Sequence, residues 1–306
     1  MATVDSDDRE QSRSFIIGGA EITAPRLEPA LYLVATPIGN LSDVTLRALE
    51  TLAAADILAC EDTRVTRILL DRYGIRRRMV AYHEHNEAEA APRLIAMVAE
   101  GKSVALASDA GTPLVSDPGF RLVQAAQEKG ARVVPVPGPS AVLAALTAAG
   151  LPTDSFMFAG FLPAKTGQRR SRLEALISVP ATLVFFQSAR RLAESLAAMS
   201  ETLGDRHAVV ARELTKAFEE LRRGTLAELA AHYEEVGAPK GEVVICVAPP
   251  GEETPASGEE TDRLLLALAD EMPASKAAGE AARMTGGKKS ELYQRLLALK
   301  GGGDGR

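Results

Sequence analysis

The sequence predicts an α/β protein. Two α/β domains are expected, the N-terminal one on a mostly parallel five-stranded sheet, followed by a small helical module. Three observations predict it. Short apolar runs begin at residues 31, 57, 79, 103 and 132, a spacing of about 25 residues that suits a βα unit. Apolar residues at helical spacing fill the gaps between the runs. Each run also ends in a Gly/Pro-rich or polar cluster, so these clusters share the carboxyl edge of one sheet, where open α/β sheets bind ligands.

Residues 31–35 (LYLVA) lead into Thr36-Pro37-Ile38-Gly39-Asn40-Leu41-Ser42-Asp43. Ser42 and Asp43 are good N-cap residues for a helix carrying Leu46, Leu49 and Leu52. Residues 57–60 (ILAC) lead into Glu61-Asp62-Thr63-Arg64, and 79–82 (MVAY) into His83-Glu84-His85-Asn86-Glu87. Leu94, Met97 and Val98 mark a second helix. Residues 103–107 (SVALA) have no polar face, as a buried parallel strand requires. They end in Ser108-Asp109-Ala110-Gly111-Thr112-Pro113, followed by Ser116-Asp117-Pro118-Gly119. Gly111 allows φ > 0, the prolines fix φ, and the aspartates can accept nearby backbone N–H groups, so this loop is stiff. Leu122, Val123 and Ala126 mark the next helix. Residues 132–136 (RVVPV) lead into Pro137-Gly138-Pro139-Ser140-Ala141.

Beyond 140, a helix is expected to Gly150. Strands follow at Phe156–Phe161, Thr182–Phe186, Ala208–Arg212 and Val243–Val247, with helices near 168–178, 190–203 and 226–236. The predicted organisation is a disordered tail over 1–28, domains over 29–139 and 140–249, a Pro/Gly/acidic linker over 250–260, a helical module over 261–300 and a tail over 301–306.

Net charge is −6, which argues against indiscriminate nucleic-acid binding. Basic clusters nevertheless occur at Arg76–Arg78, at Lys165, Arg169, Arg170 and Arg172, at Arg190-Arg191 and at Arg222-Arg223. Residues 261–306 carry eight Lys/Arg and six Asp/Glu, an excess of two positive charges that suits an RNA-contacting appendage. Cys60 and Cys246 lie in separate apolar runs and read as buried hydrophobes, in keeping with a reducing cytoplasm. No apolar run approaches a membrane span. The first run is followed by no G-x-G-x-x-G, Gly287-Lys288-Lys289-Ser290 lacks the P-loop spacing, and there is no G-x-S-x-G. His83 and His85 share a strand face but have no Cys/His partners elsewhere, so no metal site is predicted.

These motifs, in this order and over roughly residues 30–300, closely resemble the ribosomal RNA small subunit methyltransferase I family, a branch of the tetrapyrrole methylase superfamily. The motifs Arg212-Glu213-Leu214-Thr215-Lys216, Phe218-Glu219-Glu220, Lys240-Gly241-Glu242 and Ser290-Glu291-Leu292-Tyr293 join the resemblance. It implies a two-domain tetrapyrrole methylase fold, the C-terminal domain on a mixed sheet, with S-adenosylmethionine in the cleft between domains. It implies methylation of the ribose 2′-hydroxyl of a cytidine in the decoding region of 16S ribosomal RNA, with the RNA or the 30S subunit as partner, and a cytoplasmic homodimer. The expected cofactor residues are Pro37, Gly39, Asp109, Gly111, Thr112, Pro113, Ser140, Ala141, Phe186, Leu214 and Gly241. Proton removal from a weakly acidic hydroxyl needs a base or a cation. Glu61, Asp62, His83 and Lys216 are the lead candidates, with Glu84 and Glu213 beside them. Arg64, Lys165, Arg169, Arg170, Lys288 and Lys289 are the expected RNA contacts.

The sequence departs from the family in two places. Phe-Glu-Ser-Pro-His-Arg is replaced by Phe186-Gln187-Ser188-Ala189-Arg190-Arg191. The superfamily's glycine-proline-glycine-aspartate corresponds to Pro37-Ile38-Gly39-Asn40, with one glycine left. Methylation of a small tetrapyrrole or corrinoid, or a non-catalytic factor binding S-adenosylmethionine and RNA during ribosome assembly, are the competing readings.

Overall fold

The computed structural model describes residues 13–251, 258–285 and 288–301. The expected tail at 1–12, the linker at 252–257 and the tail at 302–306 lie outside the described residues.

The first described element corrects an expectation. Residues 1–28 were predicted to be disordered throughout, but β1 (Ser14–Ile17) and β2 (Ala20–Thr23) form an antiparallel hairpin. Gly18 and Gly19 both have positive φ, 59° and 85°, the geometry of a two-residue hairpin turn. Phe15 is buried against the first domain, and the Ile16 N–H donates to Tyr73 O at 2.8 Å. The acidic first ten residues obscured a Gly-Gly turn flanked by β-branched residues.

The first domain is built on β3 (Leu31–Val34), β4 (Ile57–Cys60), β5 (Met79–Ala81), β6 (Val104–Ala107) and β7 (Val133–Val136). All pair in parallel in the order β5-β4-β6-β3-β7. The chain winds outward from β3 to β5 and then returns to the other side, which puts a topological switch point at the carboxyl ends of β3 and β6. Helices α1 (Leu46–Ala54) and α2 (Thr63–Arg72) cover one face, and α3 (Glu87–Ala99) and α4 (Phe120–Glu128) the other. Thr45, not Ser42 or Asp43, caps α1: its hydroxyl accepts the Ala48 N–H at 3.1 Å. Asp62 caps α2 in the same way, accepting the Arg64 N–H at 2.8 Å.

Helix α5 (Ala141–Ala149) crosses to the second domain, a mixed sheet of β8 (Phe156–Phe161), β9 (Thr182–Ser188), β10 (His207–Arg212), β11 (Glu220–Thr225) and β12 (Glu242–Val247). The order is β11-β10-β12-β9-β8, with only the β8–β9 pair parallel. The apolar face of α5 packs Val142, Ala145 and Leu146 on Val184, Val209 and Val244. Helices α6 (Thr166–Glu174), α7 (Leu192–Leu203) and α8 (Leu226–Val236) cover the opposite face. The edge strand β11 was not foreseen, because Glu220-Leu221-Arg222-Arg223-Gly224-Thr225 lacks apolar alternation. Its Arg223 donates to Ala148 O at 2.7 Å, where a cation satisfies the last carbonyls of α5.

The C-terminal module consists of α9 (Gly258–Glu271), α10 (Ala274–Thr285) and α11 (Lys289–Gly301). They close around Leu265, Ala277, Ala281 and Leu296. No helix of the described residues is long and apolar enough to cross a membrane.

Candidate active site

Three strand-end loops of the first domain are tied into one frame. Thr36 and Gly111 exchange both backbone hydrogen bonds at 2.9 Å. The Thr36 hydroxyl donates to Ser108 O at 2.8 Å, and the Thr112 hydroxyl donates to Pro139 O at 3.1 Å. A fourth loop joins where the Asp62 N–H donates to Asp109 Oδ1 at 2.9 Å. Gly111 has φ +82°, which favours glycine, while a Cβ there would meet Ile38 at an ordinary 3.4 Å, so the conformation rather than the space calls for glycine.

The second domain faces this frame with the turn after β10. Four non-glycine residues have positive φ, two in the loop after β6 (Leu114 and Ser116) and two in the turn after β10 (Glu213 and Thr215). Such backbone strain persists only where the surroundings over-determine it, and it clusters at functional sites. The Asn40 N–H donates to Thr215 Oγ1 at 3.1 Å across the boundary.

Between the domains lies a cleft of about 620 Å³, within the roughly 300–1,000 Å³ usual for small-molecule sites. Gly111, Thr112, Ser140, Ala141, Phe186, Leu214 and Gly241 all line it. Phe186 is held by edge-to-face contacts with Phe158 and Phe161, centroids 4.8 and 5.5 Å away. A smaller chamber of about 220 Å³ adjoins it and shares Ile38, Ala110 and Glu242. Pro37, Gly39 and Asp109, expected with the cofactor set, line this second chamber, while Pro113 lines neither.

The four lead candidates for proton removal are not brought together. Lys216 lines the smaller chamber. Its Nζ donates to Glu213 Oε1 at 2.8 Å and Glu242 Oε2 at 2.9 Å. Burial opposes the ammonium charge, but these two hydrogen bonds outweigh it and raise the Lys216 pKa. The bond from Lys216 holds the Glu213 carboxyl below its usual range. Asp62, by contrast, is engaged by Arg64 at 2.6 Å, whose hydrogen bonds lower its pKa to about 2. Glu61 and His83 line neither chamber. Burial, then the charges of Asp109, Asp117 and Glu84, raise the Glu61 pKa. His83 Nδ1 is buried and makes no hydrogen bond.

Of the expected RNA contacts, Arg64, Arg170 and Lys288 are 88%, 76% and 79% exposed, and Lys165 and Lys289 are also exposed. Arg169 is a correction. It is 2% exposed, because α6 turns it inward to donate to Glu194 on α7, and it cannot reach RNA there. Among the described residues, no group of three or more His, Cys, Asp or Glu is arranged to hold a metal.

Two α/β domains enclosing a cleft at a switch point define the class. Residues 30–230 match the family described as Tetrapyrrole (Corrin/Porphyrin) Methylases, and residues 255–300 match the RsmI C-terminal HTH domain. The fold is shared with a uroporphyrin-III C-methyltransferase from Thermus thermophilus solved with S-adenyl homocysteine. That match has a TM-score of 0.51 and 21% identity over 71% of this chain and 96% of that one. A protein of Mesorhizobium japonicum named ribosomal RNA small subunit methyltransferase I is 68% identical over 95% of this chain and all of its own length. One of the same name from Pseudomonas aeruginosa is 50% identical over 89% of this chain and 98% of its own. The chain belongs to the ribosomal RNA small subunit methyltransferase I family.

Proposed function

We propose that this chain uses S-adenosylmethionine to methylate the ribose 2′-hydroxyl of a cytidine in the decoding region of 16S ribosomal RNA, working as a cytoplasmic homodimer on the RNA or the 30S subunit. The observation that carries the reading is the interdomain cleft, in a chain whose relatives are named ribosomal RNA small subunit methyltransferase I and match it across nearly their whole length.

The cleft suits the cofactor. Gly111 brings no side chain into it, and Phe186 offers a ring face for an adenine. Asp117 and Glu242 supply negative charge for a sulfonium, and Arg190 and Lys240 positive charge for a carboxylate. The cofactor would supply an electrophilic methyl with its own leaving group. The chain's residues then have two tasks: to place a ribose oxygen in line with that methyl, which is the larger effect, and to manage the hydroxyl proton. Of the expected candidates, Lys216 lines the smaller chamber, and Glu242, which was not among them, stands where the two chambers meet. In this reading Glu242 accepts the proton and the Lys216 ammonium stabilises charge on the oxygen. Exposed Arg64, Lys165 and Arg170 contact phosphates, which sets register without reading sequence.

The test is transfer of tritiated methyl to 30S subunits from cells lacking this protein, followed by nucleoside mapping. Label in 2′-O-methylcytidine is expected. Label on a base, or transfer only to a corrinoid precursor, would overturn the reading.

A further inference from the structure

The larger chamber alone has the size usual for a small-molecule site, and a second chamber stands beside it. Its mouth is walled by Val65 and Ile68 of α2, apolar side chains left 40% and 61% exposed. Pro37 and Leu41 line the same chamber. Flat apolar walls of this kind suit a planar ring. Most of the chamber's polar groups are committed, the buried Thr66 hydroxyl being without a hydrogen-bond partner among the described residues. The Ser108 hydroxyl donates to Asp117, and the Ser108 carbonyl accepts from Thr36. The Lys216 ammonium is shared by two carboxylates. Asp109 is different: Oδ1 accepts the Asp62 N–H at 2.9 Å, which fixes the carboxylate, while Oδ2 accepts no hydrogen bond among the described residues.

We propose that this chamber is the pocket for the target nucleobase and that Asp109 reads the base as cytosine. The inference rests on the function proposed above and adds its base specificity. A base seated between Pro37 and Ile68 places its ribose where the chambers share Ile38, Ala110 and Glu242, next to Lys216. The exocyclic amine of cytosine donates to the open carboxylate oxygen. Uracil presents a carbonyl at the same place, which a carboxylate repels. The chamber is a recess that opens to solvent between Val65 and Ile68, and a base enters it only when its nucleotide is swung out of any stack.

The experiment uses the full chain and 30S subunits carrying either the methylated cytidine's unmodified form or uridine at that position. Wild type is expected to transfer methyl to cytidine with a strong preference over uridine. Asp109→Asn keeps an acceptor for the Asp62 N–H and also presents a donor, so the preference is expected to fall roughly 10- to 100-fold. S-adenosylmethionine affinity, measured by calorimetry, should stay within about twofold. Ile68→Asp, on the exposed lip, should raise the KM for the subunit with cofactor affinity unchanged. An unchanged preference in Asp109→Asn overturns the base pocket and leaves the function standing. So does a loss of cofactor affinity that accounts for the whole drop in transfer. Absence of any 2′-O transfer by wild type removes both.

Discussion

Gly39 of the first domain lies directly against the stem of Lys216 in the second. A Cβ on Gly39 would stand 2.5 Å from Lys216 Cγ and 3.0 Å from Thr215 Oγ1. The glycine is therefore required by a neighbour rather than by its own backbone angles. It lets the two domains close at the edge of the cleft and holds the Lys216 ammonium against Glu213 and Glu242.

Gly39→Ala should push the Lys216 stem aside. We expect methyl transfer to fall by at least 10-fold, with the melting temperature nearly unchanged because the site is at the surface of both domains. Lys216→Met should lower kcat by roughly 100-fold, the size of one lost oxyanion stabiliser. In the Lys216→Ala background, Gly39→Ala should cost little more, since residues in contact are not additive. Additive losses in this double variant would show that the glycine acts through something other than Lys216.

Gly111→Val places a β-branched residue at φ +82° and brings its Cβ within 3.4 Å of Ile38. The strain is of order 1–3 kcal/mol, within the stability margin of a domain this size. Calorimetry should find S-adenosylmethionine binding lost, while circular dichroism stays native. Unchanged affinity would refute the place given to Gly111 in the cofactor cradle.

Arg169 and Arg170 are neighbours in sequence with opposite expected effects. Arg169 is buried, with Nε and Nη1 lacking partners, and Arg170 is 76% exposed beside Glu174. Arg169→Ala should destabilise by about 2 kcal/mol or more through lost packing and a lost ion pair. Arg169→Met keeps the volume and removes the buried charge, so it should be nearly neutral. Neither should change RNA affinity in filter binding, whereas Arg170→Ala should weaken it with no change in melting temperature.

Asp117 lines the cleft and accepts the Ser108 hydroxyl, and burial raises its pKa in spite of that bond. The folded state therefore holds its proton more tightly than the unfolded chain, whose aspartates titrate near about 3.9. Wild-type stability is accordingly lost as pH rises from that value through the raised folded one. Asp117→Asn keeps an acceptor without the charge. It should melt at a higher temperature than wild type at pH 7, with the difference shrinking toward pH 3.5. An equal difference at both pH values would refute the electrostatic cause.

The first sheet and its functional edge were legible because parallel strands buried on both faces are written as unbroken apolar runs, and each run here stops at Gly, Pro or Asp. Helix α2 was missed because Val65 and Ile68, two of its apolar residues, face outward. Strand β11 was missed because a polar edge strand carries no alternation. The sequence by itself determined the two domains, the helical module, the Gly/Pro-rich edge of the first sheet and seven of the residues that line the cleft. Only the tertiary structure decided that Asp109 belongs to a second chamber, that Arg169 points inward, and that Asp62 is engaged by Arg64. It alone brought Lys216 to Gly39, since Asn40 and Thr215 at that junction are 175 residues apart. Local pattern records which face of an element is buried. Which loop meets which across the domain boundary depends on how the two cores pack, and no short-range pattern encodes that.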